Sequence, residues 1–216
     1  MIGGGFPTPE AKARERVIST YVVVDKARQR IFTPIFKRIL VTYCHGSKSD
    51  LQPGQEIEVW ANDSDGDMQQ LVKARVLGLY PRSQILLCST AKPINAPNLD
   101  ISVRAGEPYI MLGCSNRSQK DPFSISHGCI STTTPDANGF IRGDTAPVPG
   151  DSGGGCFSAE TGKLVAINVA ADTRNGNRAV LVPVSAMISI LVDHHQKDVQ
   201  DLMPDFMEGD GEDQFT

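Results

Sequence analysis

The sequence predicts an all-β protein of two six-stranded antiparallel β-barrels packed side by side, with a short N-terminal helix and a C-terminal helix. Short apolar runs alternate with turn residues along most of the 216 residues, among which are 20 Gly and 14 Pro. The runs form two groups of about six, separated by an aperiodic segment at 91–104. Apolar residues at helical spacing occur near the C-terminal end, and a helix-start signal occurs near the N-terminal end.

The first half of the chain contains the short helix and the first barrel. Thr8, Pro9 and Glu10 predict a helix over 8–18, because threonine caps a helix and proline suits its first position. This helix ends an N-terminal extension, residues 1–19. The first barrel, residues 20–90, contains six strand-like runs separated by turn residues: 20–24, 30–32, 35–42, 56–61, 71–79 and 85–89.

The second half repeats this pattern after the linker at 91–104. The second barrel, residues 105–185, contains strand-like runs at 108–113, 124–132, 139–142, 155–157, 163–170 and 179–184. Met187, Ile190, Leu191 and His194 then follow helical spacing and predict a helix over 186–203. The acidic end, 204–216, contains few apolar residues and is predicted to be disordered.

Composition narrows the classes of function. The net charge is −4, with basic residues scattered, so we expect no nucleic-acid partner. We also expect no membrane span, because no apolar run approaches about 20 residues. The five cysteines form no CxxC pair, which favours reduced core thiols and an intracellular, cytoplasmic protein, in the host cytoplasm if viral. No metal site or cofactor is expected, since the His194–His195 pair has no third ligand nearby in the sequence.

The run Pro149-Gly150-Asp151-Ser152-Gly153-Gly154-Gly155 is the main candidate for chemistry. Glycines allow a tight turn through positive φ, on which the N–H groups of Gly150 and Ser152 can converge beside the Ser152 hydroxyl. A serine nucleophile next to such an oxyanion hole suits acyl transfer. The alternative for this segment alone is a surface loop of glycine and serine.

A serine nucleophile needs a base, and the chain has four histidines. His45 alone comes from the first group of strands, where it follows an apolar run and precedes a glycine. It is therefore the candidate to face Ser152 across a cleft between the barrels. His127 lies in or beside a strand of the second group, and His194 and His195 lie on the C-terminal helix.

Five segments resemble the chymotrypsin-fold (trypsin-like) serine proteases in the family's order: 41–45, 78–87, 105–113, 145–154 and 162–168. The pattern is closest to compact bacterial stress-type and viral or intracellular members. The resemblance implies a hydrolase, a serine endopeptidase that acts by proteolysis on peptide or protein substrates. Processing of a viral or cellular polyprotein is one role that it implies.

The chain departs from the family pattern at the acid position, where Gln84 replaces the usual aspartate. A glutamine carbonyl can orient an imidazole but supplies no negative charge, and loss of the acid in such a triad lowers kcat by about 10⁴. Asp100 and the turn at 63–67 are the alternative acids. Two interpretations follow: an endopeptidase that is slow or uses another acid, and a catalytically impaired pseudoprotease that acts as a protein-interaction module.

The resemblance also implies a substrate pocket and raises a question about the N-terminus. The pocket is framed by Ala146, Pro147, Asn168, Val169 and Ala170, and no aspartate stands six residues before Ser152. We therefore expect a small or medium apolar residue before the scissile bond, although a polar residue at the rim can redirect such a pocket.

The segment 2–5 resembles the activated start of digestive proteases, whose α-amino group pairs with the aspartate at position 151. A disordered glycine-rich end is the favoured interpretation, because Met1 precedes it.

Overall fold

The computed structural model describes residues 8–45, 51–66, 68–115 and 123–207, with the backbone alone for 197–207. The chain divides into two units, Met1–Val184 and Ser185–Thr216. The first unit contains two closed antiparallel β-barrels of six strands each, and the predicted fold class is confirmed. A short helix precedes the barrels and a longer one follows them.

The N-terminal helix α1, Pro9–Ser19, begins where the sequence predicts. The Thr8 hydroxyl accepts a hydrogen bond from the Ala11 N–H at 3.2 Å and caps the first turn. The helix leads into the first barrel but contacts the second. Glu15 lies 3.3 Å from Nε2 of His127, and Tyr21, just after the helix, stacks on Phe157 with 5.8 Å between ring centroids.

The first barrel is closed because β1 pairs with both β2 and β4, which gives the order β1-β2-β3-β6-β5-β4. Its interior is filled by side chains such as Phe32, Leu40 and Leu86. The predicted break at 33–34 is wrong, because Pro34 lies at a register shift inside β2 and the chain turns at 37–38 instead. The strands are β1 Val23–Asp25, β2 Ile31–Phe36, β3 Ile39–Tyr43, β4 Glu56–Asn62, β5 Gln69–Tyr80 and β6 Ile85–Thr90.

The second barrel has the order β10-β11-β12-β9-β8-β7. Its interior contains Tyr109, Met111 and Leu181 among other apolar side chains. The connecting segment between the barrels runs along β11, where Leu99 forms an isolated bridge with Leu164. The strands are β7 Pro108–Gly113, β8 Ser124–Thr132, β9 Ile141–Gly143, β10 Gly155–Ser158, β11 Leu164–Asp172 and β12 Arg178–Pro183.

The C-terminal helix α2 spans Val184–Met207. It continues past the predicted end at 203 and includes Pro204, although proline in a helix interior lacks a backbone donor and is unfavourable. Positions 204–207 of the predicted disordered tail are therefore helical, and 208–216 lie outside the described residues. Among the described residues, neither helix has both the length and the apolar character needed to cross a membrane.

Candidate active site

His45 and Gln84 lie next to each other at the ends of neighbouring strands of the first barrel. Tyr43 pairs with Ile85 at the end of the β3–β6 ladder, and the Cys44 N–H donates to the Gln84 carbonyl oxygen at 3.1 Å. Gln84 has left-handed backbone angles, φ 55° and ψ 28°, and follows the 3-10 turn Pro81–Ser83. The structure therefore places the predicted base and the predicted acid position side by side.

The surroundings of His45 disfavour its protonated form. Partial burial holds the pKa of His45 below its ordinary value of 6.5, the Gln84 side chain raises it by hydrogen bonding, and the Arg30 charge lowers it. Nδ1 of His45 is nonetheless buried and has no hydrogen-bond partner of normal geometry among the described residues. No carboxylate among the described residues contributes to the pKa of His45, so no such negative charge offsets the effect of burial.

Arg30 is the site residue that sequence reasoning missed. It is buried, with 4% of its surface exposed, and its guanidinium lies over the Tyr43 ring at 4.9 Å from the centroid. The Tyr43 and His45 rings are also 4.9 Å apart, so a cation and the base share one aromatic neighbour. A single arginine beside an apolar run carries no sequence pattern that could have shown this placement.

The Ser152 turn depends on its glycines. Gly150 and Gly153 have φ values of 110° and 92°, and a Cβ at Gly150 would lie 2.7 Å from the Cys114 carbonyl oxygen. The Asp151 N–H donates to the Val148 carbonyl at 3.0 Å. The N–H groups of Gly150 and Ser152 donate to no acceptor among the residues that the structure describes. Both remain available to an oxyanion.

Contacts between the barrels bring the Ser152 turn to the strand that leads to His45. The Thr33 hydroxyl donates to the Gly153 carbonyl oxygen at 2.8 Å. A Cβ at Gly153 would lie 3.3 Å from Cδ1 of Tyr43, two residues before His45. The turn that carries the nucleophile candidate and the strand that leads to the base candidate therefore come from different barrels and pack against each other. Thr33 had no distinguishing signal in the sequence.

The predicted pocket residues surround the same turn. The Asn168 amide Nδ2 donates to the Asp151 carbonyl at 3.1 Å, and the Gly153 N–H donates to the Asn168 carbonyl at 2.8 Å. A register shift in β11 lies between Asn168 and Ala170, at the buried Val169. This irregular part of β11 therefore lies directly behind the turn that carries Ser152.

The opposite side of the predicted pocket is the segment that precedes the turn. Ala146 is exposed and Pro147 is buried. The Pro147 carbonyl accepts from Nδ2 of Asn177 at 3.4 Å, and the Thr145 carbonyl accepts from the Ala179 N–H at 2.9 Å. These bonds tie the segment to β12, the strand that pairs with β11.

The alternative acids lie elsewhere in the described structure. The Asp100 N–H donates to the Leu164 carbonyl at 2.9 Å, and its carboxylate accepts from the Ser102 N–H at 2.9 Å. Asp100 thus belongs to the linker at the start of β11. The turn at 63–66 lies at the opposite end of β5 from Tyr80, the residue that pairs with Ile85 beside Gln84. Asp67 lies outside the described residues.

The cysteines and histidines of the described residues form no group of three that could hold a metal ion. No disulfide bond joins any of the five cysteines, all of which lie among the described residues. Burial raises the pKa of the Cys88 thiol to about 12 and also raises that of Cys44, which adjoins His45. Cys44 is therefore a poor nucleophile, and Ser152 is the better candidate at this site.

Comparison with known proteins agrees with the geometry. The trypsin-like peptidase domain matches residues 37–167, more than half of the chain. No curated protein sequence matches the chain significantly.

Solved structures share the fold at low sequence identity. The HtrA-type protease AlgW with a tripeptide superimposes with a TM-score of 0.61 at 18% identity, over 82% of this chain and 62% of that one. The serine endoprotease from Yersinia pestis superimposes with a TM-score of 0.67 at 14% identity, over 88% of this chain and 68% of that one. Deg5 superimposes with a TM-score of 0.61 at 16% identity, over 84% of this chain and 94% of that one. This chain therefore spans less than two thirds of the AlgW chain.

The two barrels, the glycine turn at their junction and the domain match lead to one assignment. The chain belongs to the trypsin-like peptidase domain family and has the chymotrypsin fold.

Proposed function

We propose that this chain is an endopeptidase in which Ser152 is the nucleophile and His45 is the general base. The observation that carries the proposal is the packing of the Ser152 turn against β2 and β3, which brings the turn to the strand that leads to His45. The N–H groups of Gly150 and Ser152, which have no acceptor among the described residues, supply the oxyanion hole.

The proposed reaction has two halves. The Ser152 hydroxyl oxygen attacks the carbonyl carbon of the scissile bond while His45 takes the hydroxyl proton, and the Gly150 and Ser152 N–H groups stabilise the oxyanion. His45 then gives that proton to the leaving nitrogen as the C–N bond breaks, which leaves an ester on Ser152. In the second half His45 removes a proton from water, and the resulting hydroxide attacks the carbonyl carbon of the ester. The C–O bond to Ser152 then breaks, His45 returns its proton to the Ser152 oxygen, and the carboxylic acid product leaves.

Gln84 is the neutral third member in this proposal, and Asp100 is not used. The position of Gln84 beside His45 supports its role as the third member, since the Cys44–Gln84 backbone hydrogen bond holds the two strand ends together. Without a carboxylate, the imidazolium formed during attack is stabilised less than in a complete triad. We therefore propose slow turnover, with Ser152 and His45 acting as a pair.

For the substrate we propose a peptide with a small or medium apolar residue before the scissile bond. Ala146 is exposed at the position where a basic-specific enzyme of this family has a carboxylate, and Pro147, Val169 and Ala170 are apolar. Processing of a viral or cellular polyprotein in the cytoplasm is the more specific form of the proposal. The resemblance to viral and intracellular members supports it, as does the absence of a disulfide bond among the five cysteines, all of them described residues.

The experiment that tests the nucleophile is covalent labelling by a fluorophosphonate probe. Ser152→Ala should abolish labelling and peptidase activity without unfolding the protein, because it removes one half-buried hydroxyl. His45→Ala should lose about as much labelling and peptidase activity as Ser152→Ala, since triad members act as a unit. His127→Ala is the matched control and should retain labelling, because His127 pairs with Glu15 on α1, away from the Ser152 turn. Equal labelling of wild type and Ser152→Ala would refute the assignment.

A pseudoprotease that binds peptides without cleaving them is the second candidate. One observation favours it: Nδ1 of His45 is buried without a hydrogen-bond partner among the described residues, and the charge near the ring is that of Arg30. Peptide binding by calorimetry, combined with no fluorophosphonate labelling and no cleavage after long incubation, would support this candidate over the first.

A further inference from the structure

Asp151, the residue between the two oxyanion-hole candidates, is buried with its carboxylate fully engaged. Only 2% of its surface is exposed. Oδ2 accepts from the Val148 N–H at 3.0 Å, and Oδ1 accepts from the Ser124 hydroxyl at 3.2 Å. No cation lies within ion-pair distance of it among the described residues. A buried carboxylate in this position therefore depends on its hydrogen bonds.

The fold makes room for this carboxylate between β7 and β8. Gly113 pairs directly with Ser124 in the ladder of these strands. A Cβ at Gly113 would overlap Oδ1 of Asp151 and would lie 2.8 Å from the Ser124 hydroxyl oxygen. The absence of a side chain at position 113 is what lets the Asp151 carboxylate reach Ser124.

A second hydroxyl extends the contact. The Ser115 hydroxyl donates to the Ser124 hydroxyl oxygen at 2.7 Å. Because an ionised carboxylate only accepts hydrogen bonds, the direction of the chain is set: Ser115 donates to Ser124, and Ser124 donates to Asp151. Each hydroxyl in such a chain polarises the next, which strengthens the bond to the carboxylate.

The backbone of Asp151 is fixed from the other side. Its carbonyl oxygen accepts from Nδ2 of Asn168 at 3.1 Å and from the Gly154 N–H at 3.1 Å. The side chain is thus tied to β8 and the main chain to β11. Any displacement of Asp151 displaces the N–H groups of Gly150 and Ser152 on either side of it.

We propose that Ser124, supported by Ser115, is a positioning residue that holds the oxyanion-hole turn in place through Asp151. Two half-buried hydroxyls at the end of the β7–β8 pair thereby stabilise this buried aspartate by hydrogen bonding rather than by opposite charge. The catalytic part of this inference rests on the proposed endopeptidase function, while the structural part, the fixing of the turn, does not.

The test compares Ser124→Ala with Ser124→Thr, which keeps the hydroxyl, and with Ser126→Ala. Ser126 is the matched control because it lies on the same face of β8, opposite Met111, two residues from Ser124. Hydrogen–deuterium exchange of the segment 146–156 reports the turn directly. Ser124→Ala should exchange faster there, by about 10- to 100-fold, the factor expected for losing a hydrogen bond to a charged group. Ser124→Thr and Ser126→Ala should match wild type.

Kinetics with a cleavable peptide give the second readout. Ser124→Ala should lower kcat by about the same 10- to 100-fold as the change in exchange, with little change in KM, because the oxyanion hole acts in the transition state. Ser124→Thr should have the kcat of wild type. Unchanged exchange in Ser124→Ala would overturn the proposal. Faster exchange with unchanged kcat would overturn the catalytic part. Absence of turnover in wild type would refute the proposed function, and the exchange data would still decide whether Ser124 holds the turn.

Discussion

Position 84 offers the sharpest test of how this site works. Gln84→Asp should increase kcat/KM, because a carboxylate beside His45 stabilises the imidazolium that forms during attack. A unit charge about 4 Å from the ring contributes about 4 kcal/mol at an effective dielectric constant of 20. That energy corresponds to about a thousandfold in rate. Gln84 is half-buried, so solvent screening reduces the gain. We expect an increase of about 10²- to 10³-fold, below the 10⁴-fold loss for the inverse change in a complete triad.

The same substitution should move the pH profile. In wild type, burial holds the pKa of His45 below 6.5 and the Arg30 charge lowers it further. A base must be neutral to act, so kcat/KM should rise with pH through a midpoint below 6.5. A carboxylate at position 84 raises the pKa of His45, and the midpoint should shift to higher pH. Kinetics from pH 4.5 to 9 on one peptide measure both the rate and the midpoint.

Two controls separate charge from shape. Gln84→Asn has the size of the aspartate variant without its charge, and both residues tolerate the left-handed backbone at this position. Asp100→Asn removes the alternative acid, which lies on the linker beside Leu164. Neither should change kcat/KM by more than severalfold. An active enzyme in which Gln84→Asp gives no gain, or in which Asp100→Asn abolishes activity, would refute the assignment of residue 84 as the acid position.

Three further predictions concern the packing around the site. Gly153→Ala should lower the free energy of unfolding in urea by about 2 kcal/mol or more, because the new Cβ would lie 2.5 Å from the Thr42 hydroxyl oxygen. Gly139 is the control, since it also has a positive φ but faces open space, and Gly139→Ala should lower the free energy of unfolding by about 1 kcal/mol. Cys88, with its pKa near 12, should not react with a thiol reagent at pH 8 in the native protein, and modification detected by mass spectrometry would contradict its burial. Cys129, which is half-buried, should react first.

The sequence was sufficient to predict most of the strands, because turn residues separate them. β7, Pro108–Gly113, and β8, Ser124–Thr132, begin and end where the pattern predicts. The prediction failed at 33–38, where Pro34 suggested a break but lies at a bulge, and where the real turn at 37–38 contains neither glycine nor proline. Local turn chemistry thus predicts a strand end only when the turn uses residues with special backbone preferences.

The site was predictable only where its chemistry depends on neighbouring residues in the chain. The Ser152 turn could be recognised because its glycines and the candidate nucleophile are consecutive. Arg30 and Ser124 could not be recognised, since each is a single polar residue, one just before β2 and the other at the start of β8. Their proximity to His45 and to Asp151 depends on strand register and on how the barrels meet, which no local pattern encodes.

The two halves of the site are supported by different barrels, and this bears on what the loss of the acid means. The neighbours of His45 that set its pKa, Gln84 and Arg30, belong to the first barrel. The oxyanion-hole turn is held by hydrogen bonds from Ser124 and Asn168 of the second barrel. A change at position 84 therefore alters the base without disturbing the turn. In complete triads, the oxyanion hole and binding alone leave about 10³- to 10⁴-fold catalysis over water when one member is lost. Under the proposed function, an ordered turn together with a neutral third residue gives a slow protease that keeps its transition-state stabilisation and has a weaker base.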